Sequence, residues 1–341
     1  MSNSEVELSI IIINYRSAQL VCDCIESIYT QTLRTVFEVI VVDNFSEDNS
    51  LQTITSRFPA IQSIQMGYNS GFARGNNSAI KVAQGKYILL LNGDTIILNN
   101  ALDKTVELMK QHKEFIGCGI QLLNPDGTYQ ISGAHFKTGG LNTLLPLPYL
   151  GRFIRFLGYQ LKSRVPSITK AHAVTEVDWI VGAFLMVRKE TVSKSGLLDE
   201  DFFMYAEEIE WCSRLRRHGR LCIFGEPAII HIGGGTTSDY YDTEENENSR
   251  NLWNLKGRQI LISSMLRIRK QFGLFWFFII LGFYLLDILI FFFGLSLEKL
   301  FKGKRAMFTW KNFSGYIGNM KVLLGYTGRM TSNKPYFYKV Q

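Results

Sequence analysis

The stretch that decides the fold is Tyr87-Ile88-Leu89-Leu90-Leu91-Asn92-Gly93-Asp94-Thr95. Its apolar run is too short to cross a membrane and is bounded like a fully buried parallel strand. It stops abruptly at Asn92-Gly93-Asp94. In open α/β sheets, ligands sit at the carboxyl ends of strands. Asp94 is therefore placed where a ligand or metal would be held. Asn-Gly-Asp is also good turn chemistry anywhere, so this stretch alone leaves a turn and a metal site open.

Upstream, the same pattern repeats. Leu8 to Tyr15 and Phe37 to Asn44 are β-rich buried runs, and the second also ends in an acid, Asp43. Between them, Leu20, Val21, Cys24, Ile25, Ile28 and Tyr29 recur at helical spacing, with Ser17 as the expected cap. Ser46 to Ser50 is expected to cap a second helix, and Ile61 to Met66 is a shorter strand. A loop from Gly67 to Asn77 leads into a helix that runs through Ala83. This order predicts about one hundred residues of doubly wound, Rossmann-like α/β sheet. Neither Gly71-x-x-x-Gly75 nor Asn14-Tyr15-Arg16-Ser17 is a dinucleotide fingerprint, which argues against a nicotinamide or flavin enzyme.

Downstream, 100–112 reads as a helix. The runs 115–123 and 128–132 read as strands around the Asn124-Pro125-Asp126-Gly127 turn. Residues 137–174 read as basic loop. Val177 to Val187 reads as one strand whose internal Gly182 signals a close approach. Glu207, Glu208 and Glu210 open a helix, where acids suit the dipole, and Gly219 is its expected C-cap. Adjacent carboxylates push one pKa up, which suits a general base. His231 ends a strand beside Gly233-Gly234-Gly235. Residues 239–247 read as an acidic, polar loop, and 245–271 as a long amphipathic helix.

Composition bounds the rest. The 341 residues, 46% hydrophobic, allow one large domain with an appendage, or two domains. The net charge of +7 sits in one place. From Ser296 onward, nine Lys or Arg (Lys299, Lys302, Lys304, Arg305, Lys311, Lys321, Arg329, Lys334, Lys339) face Glu298 alone. A basic tail suggests an anionic surface, and with no nucleic-acid module in the chain a membrane is favoured over nucleic acid. Residues 272–293 are apolar except for Asp287 and long enough to span a bilayer core of ~30 Å. A span, a re-entrant or interfacial helix, a soluble aromatic core helix and self-association through this segment all remain open. Five scattered cysteines suit a reducing compartment. The polar start, Met1 to Glu7, gives no expectation of a signal peptide, so the catalytic part is expected in the cytoplasm.

Four motifs now stand in order: Val41-Val42-Asp43-Asn44-x-Ser46-x-Asp48; Asn69-x-Gly71-Phe72-Ala73-x-Gly75-Asn76-Asn77; Leu90-Leu91-Asn92-Gly93-Asp94; and Phe203-Met204-Tyr205-x-Glu207-Glu208-x-Glu210-Trp211-Cys212. The ordered set resembles family 2 glycosyltransferases of the GT-A fold, in particular bacterial rhamnosyltransferases of O-antigen and cell-wall polysaccharide synthesis. The resemblance implies a GT-A catalytic domain over 1–260, with a Rossmann-like nucleotide-binding half and an acceptor half. A hydrophobic, basic, membrane-associating region follows over 261–341.

By this resemblance, Asp43 meets the nucleotide base or ribose, and Arg74 and Asn77 line the nucleotide side. Asn92 and Asp94 stand at the Asp-x-Asp metal motif. Asp94, assisted by His231, is the expected ligand to Mg²⁺ or Mn²⁺ on the diphosphate. Glu208 matches the catalytic base, with Glu207 as the alternative, and Trp179 lies on the acceptor side. The implied reaction is inverting transfer from dTDP-rhamnose, or from UDP-galactofuranose or another UDP-sugar, to a polyprenyl-diphosphate-linked saccharide. The implied location is the cytoplasmic face of the inner membrane. A non-catalytic nucleotide-sugar-binding membrane protein is the rival reading.

Overall fold

The computed structural model describes residues 5–161, 166–233 and 251–333. The loop expected at 239–247, the first residues of the helix expected from 245, Gly234, Gly235, Lys334 and Lys339 lie outside them.

The first half follows the alternation of apolar runs. Strands β1 (Leu8–Asn14), β2 (Phe37–Asp43), β3 (Gln62–Gln65) and β4 (Tyr87–Asn92) pair in parallel in the order β3-β2-β1-β4. Their register places Asn14 beside Asp43 and Ile13 beside Asn92, so their carboxyl ends form one edge. Helices α1 (Ala18–Gln31), α2 (Ser50–Arg57) and α3 (Gly71–Ile80) make the crossovers. β5 (Thr95–Ile97), α4 (Ala101–Gln111) and β6 (Phe115–Leu123) follow.

The second half closes the sheet with mixed pairing. A small sheet holds β7 (Gly133–Ala134), β8 (Ser167–Ile168) and β10 (Trp179–Ile180). Helix α5 (Pro148–Gln160) and strand β9 (Val174–Val177) lie between them in sequence. β11 (Phe184–Arg188) pairs antiparallel to β4, which returns its amino end to the same edge. α6 (Lys189–Ser195), α7 (Glu207–Leu215) and β12 (Arg220–His231) complete the α/β body. One core packs α1 and α4 against one sheet face, and a second packs α3 and α7 against the other.

Two helices end the described chain: α8 (Leu255–Lys302) and α9 (Trp310–Thr331). α8 is broken at Gly273, whose φ of 85° and ψ of −176° leave the helical region. A third core joins both helices to Leu144, Leu147, Phe202 and Ala206 of the α/β body.

Several local expectations are corrected. Ser17 precedes α1, but its hydroxyl bonds Asn14 Oδ1 at 3.3 Å instead of capping. The expected loop 67–77 is helical from Gly71. Residues 128–132 form a single bridge, Leu123 to Tyr129, because the chain turns to bury Ser132 against Gln121. Region 137–174 contains α5. The run 177–187 holds the end of β9, then β10 and β11, with breaks at Asp178 and at Val181-Gly182-Ala183. α7 ends at Leu215, four residues before Gly219, whose missing side chain instead accommodates Ile116.

Candidate functional site

A cavity of about 240 Å³ opens at the carboxyl edge of β1, β2 and β4. Tyr15, Asn44, Asn92 and Gly93 reach it from the strand ends, Gly182 from the break before β11, and Glu207 and Glu208 from the start of α7. A Cβ on Gly182 would lie in ordinary contact, 3.6 Å from Phe72 and 3.7 Å from Glu208, so the glycine leaves that much more room beside the carboxylate.

On one flank, register does the positioning. β5 pairs with β12 so that Thr95 faces His231, which brings the ring to the Asn92-Gly93-Asp94 turn. His231 Nε2 lies 3.5 Å from Asp94 Oδ1 and 3.3 Å from Asn92 Nδ2. Its other nitrogen, Nδ1, is 2.9 Å from Gln130 Oε1. The Gln130 amide is oriented by its own donor: Nε2 donates to Asn124 Oδ1 and to His231 O, both at 2.7 Å. Oε1 is therefore the acceptor, Nδ1 carries the proton, and the lone pair of Nε2 faces Asp94. A carboxylate and an imidazole nitrogen held 3.5 Å apart are drawn together by a shared proton or by a metal cation. A carboxylate oxygen and a neutral imidazole suit Mn²⁺, and Mg²⁺ less because of the nitrogen. Among the described residues no group of three or more His, Cys, Asp or Glu ligands exists. The protein side of such a site is this pair, which leaves other coordination positions for a ligand.

On the other flank sits the carboxylate pair. Tyr205 and Ala206 both hold φ of 68°, an uncommon backbone for residues with a Cβ. This double left-handed step turns the chain sharply into α7 and aims its first residues at the cavity. Glu207 is buried, and its Oε2 has no hydrogen-bond partner. Burial, then the neighbouring Glu208 charge, raises its pKa well above the carboxylate range. Glu208 is half-buried, and burial pushes it up to about 7, tempered by backbone N–H groups and the Arg267 guanidinium. Glu210 is engaged elsewhere, bidentate to Arg214 at 2.8 to 3.0 Å.

The helix that supports this turn carries no expected role. Ser263 Oγ donates to Met204 O at 2.6 Å, and Gln259 Nε2 does so at 3.3 Å. Arg267, buried and cationic, lies one turn further along α8. The available signal was spacing: Gln259, Ser263, Arg267 and Gln271 recur every four residues, one polar row on an otherwise apolar helix. Gln130 carried no comparable signal.

Asp94 and His231 are themselves outside the cavity lining, next to its Asn92-Gly93 wall, and other expected residues lie outside it too. Asp43 Oδ1 accepts from Asn14 Nδ2 at 2.8 Å and Ser46 Oγ at 2.5 Å, and Oδ2 accepts from Ser46 N. It clamps β1 to β2, and its neighbour Asn44 lines the cavity instead. Asn77 is buried. Its amide donates to Leu198 O and Glu200, and its oxygen accepts from Leu198 N. Its observed bonds are structural. Arg74 is half-buried on α3, and Trp179 packs against the core beside α3 and α7.

The family model described as Glycosyl transferase family 2 matches residues 9–169. Low-salt glycan biosynthesis hexosyltransferase Agl10 of Haloferax volcanii is 29% identical over 220 residues, 62% of this chain and 62% of that protein. N-acetylglucosaminyl-diphospho-decaprenol L-rhamnosyltransferase of Mycobacterium tuberculosis is 23% identical over 208 residues, 57% and 66% of the two chains. The match thus spans less than two thirds of the length of either relative. Among solved structures, a mannosyltransferase from Pyrobaculum calidifontis, in complex with GDP-Man and Mn²⁺, superimposes with a TM-score of 0.52 at 14% identity, covering 94% of this chain and 87% of its own. The shared architecture is the GT-A fold.

Proposed function

With residues 9–169 belonging to glycosyl transferase family 2, we propose that this protein is an inverting, metal-dependent glycosyltransferase acting on a lipid-linked saccharide. The observation that carries the reading is one cavity that Glu208 lines and beside which the Asp94–His231 pair lies. The Asn92-Gly93 turn leading to the Asp94–His231 pair meets it on one side, and the raised carboxylate Glu208 meets it on the other.

Asp94 and His231 hold the divalent cation, with Mn²⁺ the better fit. When bound, the ion supplies positive charge against the nucleoside diphosphate as that group departs. Asn44 and Asn69, which also line the cavity, face the donor. Glu208 takes the proton from the acceptor hydroxyl as its oxygen attacks the anomeric carbon. A pKa near operating pH suits a base that must both accept and release that proton. One displacement inverts the anomeric centre without a covalent intermediate. Glu207, more deeply buried, stays protonated and neutral, which keeps the second negative charge out of the cleft.

The favoured donor is dTDP-rhamnose and the favoured acceptor a saccharide on a polyprenyl diphosphate, supported by the name of the mycobacterial relative. UDP-galactofuranose and other UDP-sugars are the runner-up donors. The protein works at the cytoplasmic face of the inner membrane, with residues 261–341 supplying most of the membrane-associating region. Because Gln259, Ser263 and Arg267 serve the catalytic turn, we place the working junction at Gly273 rather than at 260.

The test is transfer from dTDP-rhamnose to a polyprenyl-diphosphate-linked acceptor, with Mn²⁺, in wild type and Glu208→Gln. The variant should lose roughly 10²- to 10⁴-fold in turnover while binding dTDP within a few-fold of wild type. Undiminished transfer in Glu208→Gln would remove the base assignment. Tight nucleotide binding without transfer from any donor would favour the non-catalytic reading.

A further inference from the structure

We infer that α8 does not cross the membrane: together with α5 it forms one face that lies in the surface of a bilayer carrying anionic lipids. This rests on, and refines, the membrane association proposed above.

The first observation is how α8 is held. Beyond Gly273 its buried residues, among them Phe277, Tyr284, Asp287, Phe291 and Leu295, recur on one side at helical spacing. That side is tied to the α/β body along its length. Tyr284 Oη donates to Thr143 O at 2.9 Å, Tyr149 Oη donates to Glu298 Oε2 at 2.7 Å, and a Cβ at Gly294 would lie 2.8 Å from the Tyr149 ring. α9 packs along the same side, where Tyr316 Oη donates to Tyr284 O at 3.2 Å. Asp287, the charge in the middle of the apolar stretch, is fully buried there.

A crossing α8 would draw these partners into the bilayer core with it. α5 carries Arg152 and Arg155, and α9 carries Lys311, Asn319 and Lys321. Among the described residues, α8 is the single helix apolar enough to cross. Dragging charged helices through hydrocarbon opposes crossing.

The second observation is what lies outside. Only 33% of the most apolar window of α8 is buried. Its outer side shows Phe275, Phe278, Leu289, Phe293 and Leu300. α5 adds Phe153, Phe156 and Leu157 at i, i+3 and i+4, an apolar stripe turned to solvent rather than to a core. A surface of this size in a monomer marks an interaction site. Exposed cations sit at its margin: Arg152 contacts Met307, and Lys302, Arg305 and Lys311 follow the end of α8. Apolar residues with a cationic margin match acyl chains below anionic headgroups.

The test uses full-length protein and has two arms. In flotation with phosphatidylcholine vesicles, with or without phosphatidylglycerol, binding should need the anionic lipid. It should fall about tenfold or more in Phe153→Glu/Phe156→Glu. In inverted inner-membrane vesicles, Leu255→Cys and Ser314→Cys, which lie before and after the apolar segment and off its outer face, should both react with a membrane-impermeant maleimide, since the five native cysteines are buried. Full retention of the double variant, or labelling of Ser314→Cys only after detergent, would overturn the inference in favour of a span. Wild-type oligomers that ignore vesicles would overturn it in favour of self-association. Mn²⁺-dependent dTDP binding in detergent reports on the proposed activity separately. It should be unchanged in every variant.

Discussion

Two carboxyl groups with raised pKa values make pH the sharpest probe at the scale of residues. Glu208 is held at about 7, against an ordinary value of 4.5. As the base it must be ionised, so kcat/KM should rise with pH through about 7 and level above it. For stability the sign is opposite. Between about 4.5 and about 7 the unfolded chain ionises these glutamates while the folded chain keeps them protonated, so stability falls as pH rises across that window. Thermal melts of Glu207→Gln should lose less over the same interval than wild type. Equal losses would show that the pair is not buried as described. Gln130 offers a second test. If it fixes the tautomer of His231, Gln130→Ala should weaken Mn²⁺ binding by roughly 10- to 100-fold, read from the electron spin resonance of free Mn²⁺. An unchanged affinity would mean the hydrogen bond has no such role. Neither Gln130 nor the structural use of Asp43 and Asn77 was legible in the sequence. Gln130 meets His231 101 residues away and Asn77 meets Leu198 121 residues away, while Asp43 meets Asn14 29 residues away as well as the nearby Ser46. The positions of Asp94 just past a strand end and of Glu208 at a helix start were legible because each element has its own local signature.

At the scale of elements, the turn into α7 rests on two supports. Phe72 N donates to Phe203 O at 2.8 Å, and Gly71, with φ of 75°, leaves room for that contact. A Cβ on Gly71 would lie 2.1 Å from Phe203 O. Gly71→Ala should therefore cost about 2 kcal/mol or more in denaturant unfolding, through strain and collision together. A neutral effect would contradict the packing of α3 on this turn. The other support is α8 through Ser263 and Gln259. The four strands β1 to β4 were read closely because buried parallel strands are nearly continuous apolar runs. The second half resisted reading for a physical reason. β10 and β11 share one apolar run yet enter different sheets, and only the long-range pairings of β10 with β7 and β11 with β4 decide where it breaks. α5 was missed because its apolar stripe faces outward, so it lacks the polar outer face expected of a core-packed helix.

At the scale of the molecule, a GT-A body, a polar row on the first part of α8, and an outward apolar face form one continuous device. The basic tail was legible from composition, whereas the orientation of α8 required knowing that Thr143 and Tyr149 hold it. The whole account depends on a divalent cation at Asp94 and His231 completing the donor site. The most direct measurement is calorimetric binding of dTDP, UDP, GDP and NAD to detergent-purified protein, each with and without Mn²⁺, in wild type and Asp94→Ala. The account predicts dTDP binding that requires Mn²⁺ and disappears in Asp94→Ala, with UDP preference changing the sugar but not the mechanism. Binding of NAD, or nucleotide binding indifferent to both Mn²⁺ and Asp94, would contradict it.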